Sequence, residues 1–161
     1  NETKGAWECA LTYNGPTALV LSRQSLPMTT DGDAVRFGAE TISATPNPDL
    51  ILVGTGSEVS VCVGAAKLLS ESGTKVNVVS MPSFDRFEQQ PAQYRTSVFP
   101  PNVPVVSVEA GVTFGWSQYA DVSVGIDRFG ASAPGSTVLK NLGISVENVA
   151  EQARVALSKS K

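Results

Sequence analysis

At 161 residues the chain is long enough for one domain of ordinary size, or for one domain and a piece of another, and too short for two full catalytic domains. Its 12 Lys and Arg against 15 Asp and Glu give a net charge of −3, which argues against nucleic acid or an anionic membrane surface as the main partner. With no histidine anywhere, Ser-His-Asp and Cys-His nucleophiles, His-liganded zinc and imidazole bases are all excluded.

Apolar residues make up 42%, enough to bury a core and to exclude a disordered chain. Charged residues reach only 17% against a typical share of roughly 25%, which fits a surface partly covered by a partner. Cys9 and Cys62 form no CxxC pair and read as reduced thiols of an intracellular protein. No apolar run approaches the ~20 residues that span a bilayer. The opening at Asn1, without Met and inside a helical pattern, reads as a piece of a longer protein.

Residues 2–12 (ETKGAWECALT) place Ala6, Cys9 and Ala10 at helical spacing, and Asn14-Gly15-Pro16 closes them as a turn. TALVLSR follows as a short buried strand ending in Arg23. Pro27 and the polar run to Asp33 form the candidate linker. Val35 to Ile42 reads as a strand or strand–turn, Pro46-Asn47-Pro48 as a turn, and Asp49 to Val53 as the strongest strand of the chain.

Residues 57–72 read as a helix capped by Ser57, with Val59, Cys62, Val63, Ala66 and Leu69 on its apolar face and Gly73 as its stop. Strands at 75–81 and 104–109 flank a short helix around Pro91 to Val98. The tail reads as a polar-aromatic helix ending at Ser117 to Ala120, a strand at Val122 to Ile126 and a loop at Asp127 to Ala133. Helices at Pro134 to Asn141 and Val146 to Ser158 complete it. Strands that alternate with helices and are apolar on both faces predict an α/β fold of three layers around a mostly parallel sheet.

Four places could carry chemistry. Gly54-Thr55-Gly56-Ser57 joins a strand to a helix, where free amides can hold phosphate, but it lacks the third glycine of the dinucleotide fingerprint. A tight turn for close helix packing is the competing reading. Asp31-Gly32-Asp33 lacks the remaining ligands of a calcium loop. Glu109 ends a strand where open α/β sheets bind ligands, and a structural hydrogen bond would also suit it. Asp127-Arg128 reads as a loop-fixing salt bridge. Arg23 could present its planar fork to a phosphate or carboxylate, or sit in a structural ion pair.

The stretches GPTALVLSRQSLP (15–27), DLILVGTGSEV (49–59), VSVE (106–109) and above all GIDRFGASAP (125–134) resemble the C-terminal portion of transketolases, over essentially the whole chain. The resemblance implies that residues 1–27 are the tail of a pyrimidine-binding module, 28–33 a linker, and 34–161 a Rossmann-like C-terminal domain with a mixed sheet of about five strands. It implies a homodimeric parent of the pentose phosphate pathway that uses thiamine diphosphate and Mg2+ or Ca2+ to move a two-carbon ketol unit between sugar phosphates.

Arg23 is similar to the arginine that binds the sugar phosphate, so it is the candidate substrate-binding residue. The family's metal and diphosphate motif, its activating glutamate and its active-site histidines are not matched here, so the fragment alone is expected to be inactive and to bind no cofactor. A cytoplasmic parent is expected, with a peroxisome-like organelle as the minor alternative because Ser160-Lys161 is one leucine short of an SKL signal. A free-standing flavodoxin-like anion-binding or oligomerisation domain is the alternative reading.

Overall fold

The computed structural model describes residues 1–159, so Ser160-Lys161 and the signal read there lie outside the described residues. Its centre is a five-stranded sheet in the order β1-β3-β2-β4-β5. The strands are β1 (Glu40–Ser43), β2 (Leu50–Gly54), β3 (Val76–Ser80), β4 (Val105–Val108) and β5 (Val122–Val124). Strands β3, β2, β4 and β5 run parallel, and β1 pairs antiparallel to β3 at one edge with an irregularity between Thr41 and Ser43. This is the mixed, mostly parallel α/β sheet that the alternating pattern predicts.

The two-residue period of β2 explains the layers. Leu50 and Leu52 point into one core with Val76, Val78 and Val106, beneath α3 (Glu58–Ser70) and α7 (Val146–Lys159). Ile51 and Val53 point into the other, against Phe87, Val98 and Trp116 from α4 (Phe84–Glu88), α5 (Ala92–Val98) and a 3-10 turn over Thr113–Gln118. Each wholly buried Leu or Ile is worth about 1.5–3 kcal/mol over its exposed state, so β2 is the mechanical centre of the domain. Buried polar groups are paired. The Asn77 Oδ1 accepts the Thr45 amide at 2.7 Å, and Ser107 donates to Ser123 at 2.8 Å.

Several expectations need correction. Residues 17–23 form no strand. Val20 is 97% exposed and Leu21 53%, because among the described residues no strand lies alongside to take their backbone groups. Val35 to Ile42 splits into a helical turn, α2 (Ala34–Phe37), and then β1, separated by left-handed Gly38.

Ser57 does not cap α3; its hydroxyl donates instead to Glu58 Oε1 at 2.5 Å. Val63 turns half outward while Ala65 is buried, because α7 covers a second face of α3. The aromatic helix before β5 is a 3-10 turn, and α4, capped by the Ser83 hydroxyl, had no counterpart in the pattern. The Gly73 stop is present, with a left-handed backbone and the Thr74 amide returning to the Leu69 carbonyl at 3.2 Å. The final helix, α6 (Gly135–Asn141) preceding α7, lies where expected.

The segment before the linker folds back onto this domain. Helix α1 (Glu2–Thr12) packs beside α2, with Glu8 accepting from Arg36 at 2.9 Å and Glu2 accepting from the fully buried Ser80 hydroxyl at 2.5 Å. Among the described residues no helix is long and apolar enough to cross a membrane.

Candidate functional site

The order β3-β2-β4 places successive crossovers on opposite sides of β2, so the loops after β2 and β4 part at the carboxyl edge of the sheet. A crevice at this point is where open α/β sheets take ligands. Here it is a cleft of about 720 Å3, floored by Thr55, Gly56, Glu58 and Glu109 and walled by α1 and residues 17–30.

The turn at its floor is spent on its own structure. The Glu58 amide donates to the Thr55 carbonyl at 3.2 Å and the Val59 amide to Gly56 at 3.4 Å. Gly56 has φ +55°, and a Cβ on Gly54 would stand 3.0 Å from the Cys62 sulfur and 3.1 Å from the Val59 nitrogen. The glycines therefore serve a tight turn that lets α3 press on β2. With Glu2, Glu58 and Glu109 lining the cleft against Arg86, an anion there would meet mostly carboxylates.

Glu109 has a structural partner. Its Oε2 accepts the Trp116 indole N–H at 2.6 Å, and Trp116, 2% exposed, meets Phe84 edge-on at 4.8 Å. Burial holds the Cys62 thiol above its usual range, so it is no nucleophile. The expected Asp127–Arg128 bridge is absent. Asp127 instead accepts the Thr113 amide and hydroxyl, both at 2.8 Å, and these bonds hold its carboxyl below the usual range. Short backbone donors on the neighbouring loop outcompete a flexible exposed arginine.

Asp31 accepts the Asp33 amide at 2.9 Å, as a turn does. Among the described residues no group of acids or cysteines could hold a metal ion. The side chains here do not fit a thiamine diphosphate and metal site, and no chemical step is assigned to one.

Arg23 lies at a bend over Arg23-Gln24, exposed, and not at the end of a buried strand. Among the described residues it forms no ion pair and no side-chain hydrogen bond. Its neighbours are less free. The Ser22 Oγ lies 3.6 Å from where a Cβ on Gly56 would stand, and the Gln24 Nε2 lies 3.5 Å from the same point on Gly135. Sequence reading missed these two contacts, since they join segments with no shared period; only the adjacency of Ser22 and Gln24 to Arg23 pointed there.

An open sheet with a mixed edge strand and helices on both faces defines a three-layer, Rossmann-like α/β domain. The chain belongs to the family of the transketolase-like TK C-terminal domain, whose family model matches residues 38–145. It is 44% identical to transketolase 1 of Saccharomyces cerevisiae over 98% of this chain and 24% of that protein. To the transketolase of Geobacillus stearothermophilus it is 42% identical, over 99% of this chain and 26% of that one.

Among solved structures, transketolase from Leishmania mexicana superposes with a TM-score of 0.94 at 45% identity, covering 98% of this chain and 24% of that one. Transketolase from Pichia stipitis in complex with sedoheptulose-7-phosphate gives 0.93 at 38%, covering 99% and 24%. The chain thus spans about a quarter of the length of the relatives it matches.

Proposed function

We propose that this chain is part of a transketolase that moves a two-carbon ketol unit between sugar phosphates, and that its contribution to the reaction is to grip the substrate phosphate through Arg23. The observation that carries the reading is the exposed, unpaired guanidinium of Arg23 at a bend, in a chain alignable with transketolases over 98% of its length. A sugar phosphate ligand in the Pichia stipitis relative supports the substrate class. The thiamine diphosphate, the Mg2+ or Ca2+ and the groups that move protons belong, in this reading, to the three quarters of a transketolase that this chain does not span. The whole enzyme is a cytoplasmic homodimer of the pentose phosphate pathway, and residues 34–161 support its packing.

The test is Arg23→Ala in the full-length enzyme. Loss of a charge-assisted fork should cost about 1.5–3 kcal/mol, on the order of 10–100-fold in kcat/KM, for a phosphorylated ketose, and far less for its unphosphorylated analogue. An equal loss for both substrates would sink the assignment. The purified 161 residues, supplied with thiamine diphosphate and Mg2+, should show no ketol transfer. Anion binding at the Gly54–Ser57 turn is the weaker reading, since the Glu58 and Val59 amides are already engaged there.

A further inference from the structure

We propose that Gly56 and Gly135 are positioning residues for Arg23: the C-terminal domain seats the two neighbours of the arginine, Ser22 and Gln24, on side-chain-free spots and so fixes where its guanidinium stands. The inference rests on the reading of Arg23 as the phosphate grip.

Residues 17–27 have no strand partner among the described residues, so no ladder sets the position of the bend at Arg23. What sets it is contact on either side. Ser22 rests over Gly56 and Gln24 over Gly135, at 3.6 and 3.5 Å from the points a Cβ would occupy. Both seats are on held loops. Gly56 belongs to the turn closed by the Glu58 and Val59 amides, and Gly135 opens α6 after the loop that Asp127 ties to Thr113.

The distances are ordinary van der Waals contact, so a methyl on Gly135 would touch Gln24 while a branched side chain would have to push it aside. Moving a bidentate arginine by about 1 Å can cost as much as 100-fold in rate, since its fork must meet the phosphate oxygens in line.

The experiment uses the full-length enzyme with Arg23→Ala, Gly135→Ala, Gly135→Val and Ser22→Leu, assayed with sedoheptulose-7-phosphate and an unphosphorylated ketose. Gly130→Val is the control, because nothing lies within 4 Å of a Cβ at that position of the same loop. Gly135→Val and Ser22→Leu are expected to lower kcat/KM for the phosphorylated sugar about tenfold, mainly through KM, with a much smaller effect on the unphosphorylated one. Gly135→Ala should lose less, and Gly135→Val combined with Arg23→Ala should be no worse than Arg23→Ala alone.

If Arg23→Ala itself harms both substrates equally, the phosphate reading fails. If Arg23→Ala is selective while Gly135→Val and Ser22→Leu leave selectivity untouched, or harm both substrates alike, the positioning role is overturned and the grip survives.

Discussion

Ala18 to Leu21 (ALVL) and Leu50 to Val53 (LILV) are close to interchangeable as strings, yet they end in opposite states. Every residue of the second is at 0% exposure, hydrogen-bonded to β3 on one side and β4 on the other, with helices over both faces. In the first, Val20 is 97% exposed. The difference is not propensity, since β-branched and leucine-rich runs favour extended backbone in both. It is the supply of neighbouring strands, which β2 finds within the chain and residues 18–21 do not. A strand is a relation between segments, and one sequence window shows only half of it.

The largest expected effect tests that contrast directly. Leu52→Ala should cost about 2–5 kcal/mol in denaturant unfolding of this chain, whereas Val20→Ala should stay within about 0.5 kcal/mol. Equal losses would mean that residues 18–21 carry folded structure after all.

Next, Arg23→Lys in the full-length enzyme should fall between wild type and Arg23→Ala on phosphorylated substrate, because charge is kept and the fork lost. A lysine as good as arginine would reduce the grip to field attraction.

Glu2→Ala then probes how the two regions are joined. It leaves the buried Ser80 hydroxyl without its partner, a cost of about 1–3 kcal/mol, and should speed limited proteolysis in Leu26 to Ala34, the stretch expected to be cut first. Early cutting inside 50–70 would put the boundary elsewhere.

The smallest effect is one of pH. Partial burial, with Asp31, Asp33 and Glu2 nearby, raises the Glu40 carboxyl above its ordinary 4.5, although it accepts from the Ala34 amide, and its Oε2 is buried without a partner among the described residues. A raised carboxyl favours the fold while protonated and loses that contribution as pH climbs past the raised value. Glu40→Gln should therefore raise Tm at neutral pH, with the gain shrinking below about pH 4.5. Asp127, lowered by Thr113, should behave oppositely. Its contribution disappears as pH falls through its lowered value, and Asp127→Asn should matter least in acid.

Much of the domain was readable because its signals are local. The apolar run of β2, the Gly73 stop and the small-residue face of α7 each declare themselves within a dozen residues, and the alternation of elements then limits the topology. What escaped reading depends on distant partners. Val63 was placed inward by helical period alone, but α7 set which faces of α3 are covered. Ser57 has the residue type of a cap and spends its hydroxyl on the adjacent glutamate instead.

At the site, Arg23 could be picked out by motif, and Glu109 by its place at a strand end. The seats of Ser22 and Gln24 join residues over thirty and over a hundred positions apart through glycines, which leave no side-chain pattern to read.

The close approach of α3 to β2 at Gly54 has a practical consequence. It seals Cys62 at 0% exposure with its thiol held protonated, while Cys9 on α1 is half-open beside the cleft. In chemical terms the folded chain carries a single thiol. A maleimide dye added to the native protein should stop at one equivalent, marking the cleft wall without any mutation. The second equivalent should react only as fast as α3 lifts from the sheet, so the slow phase of labelling becomes a clock for the opening of the core.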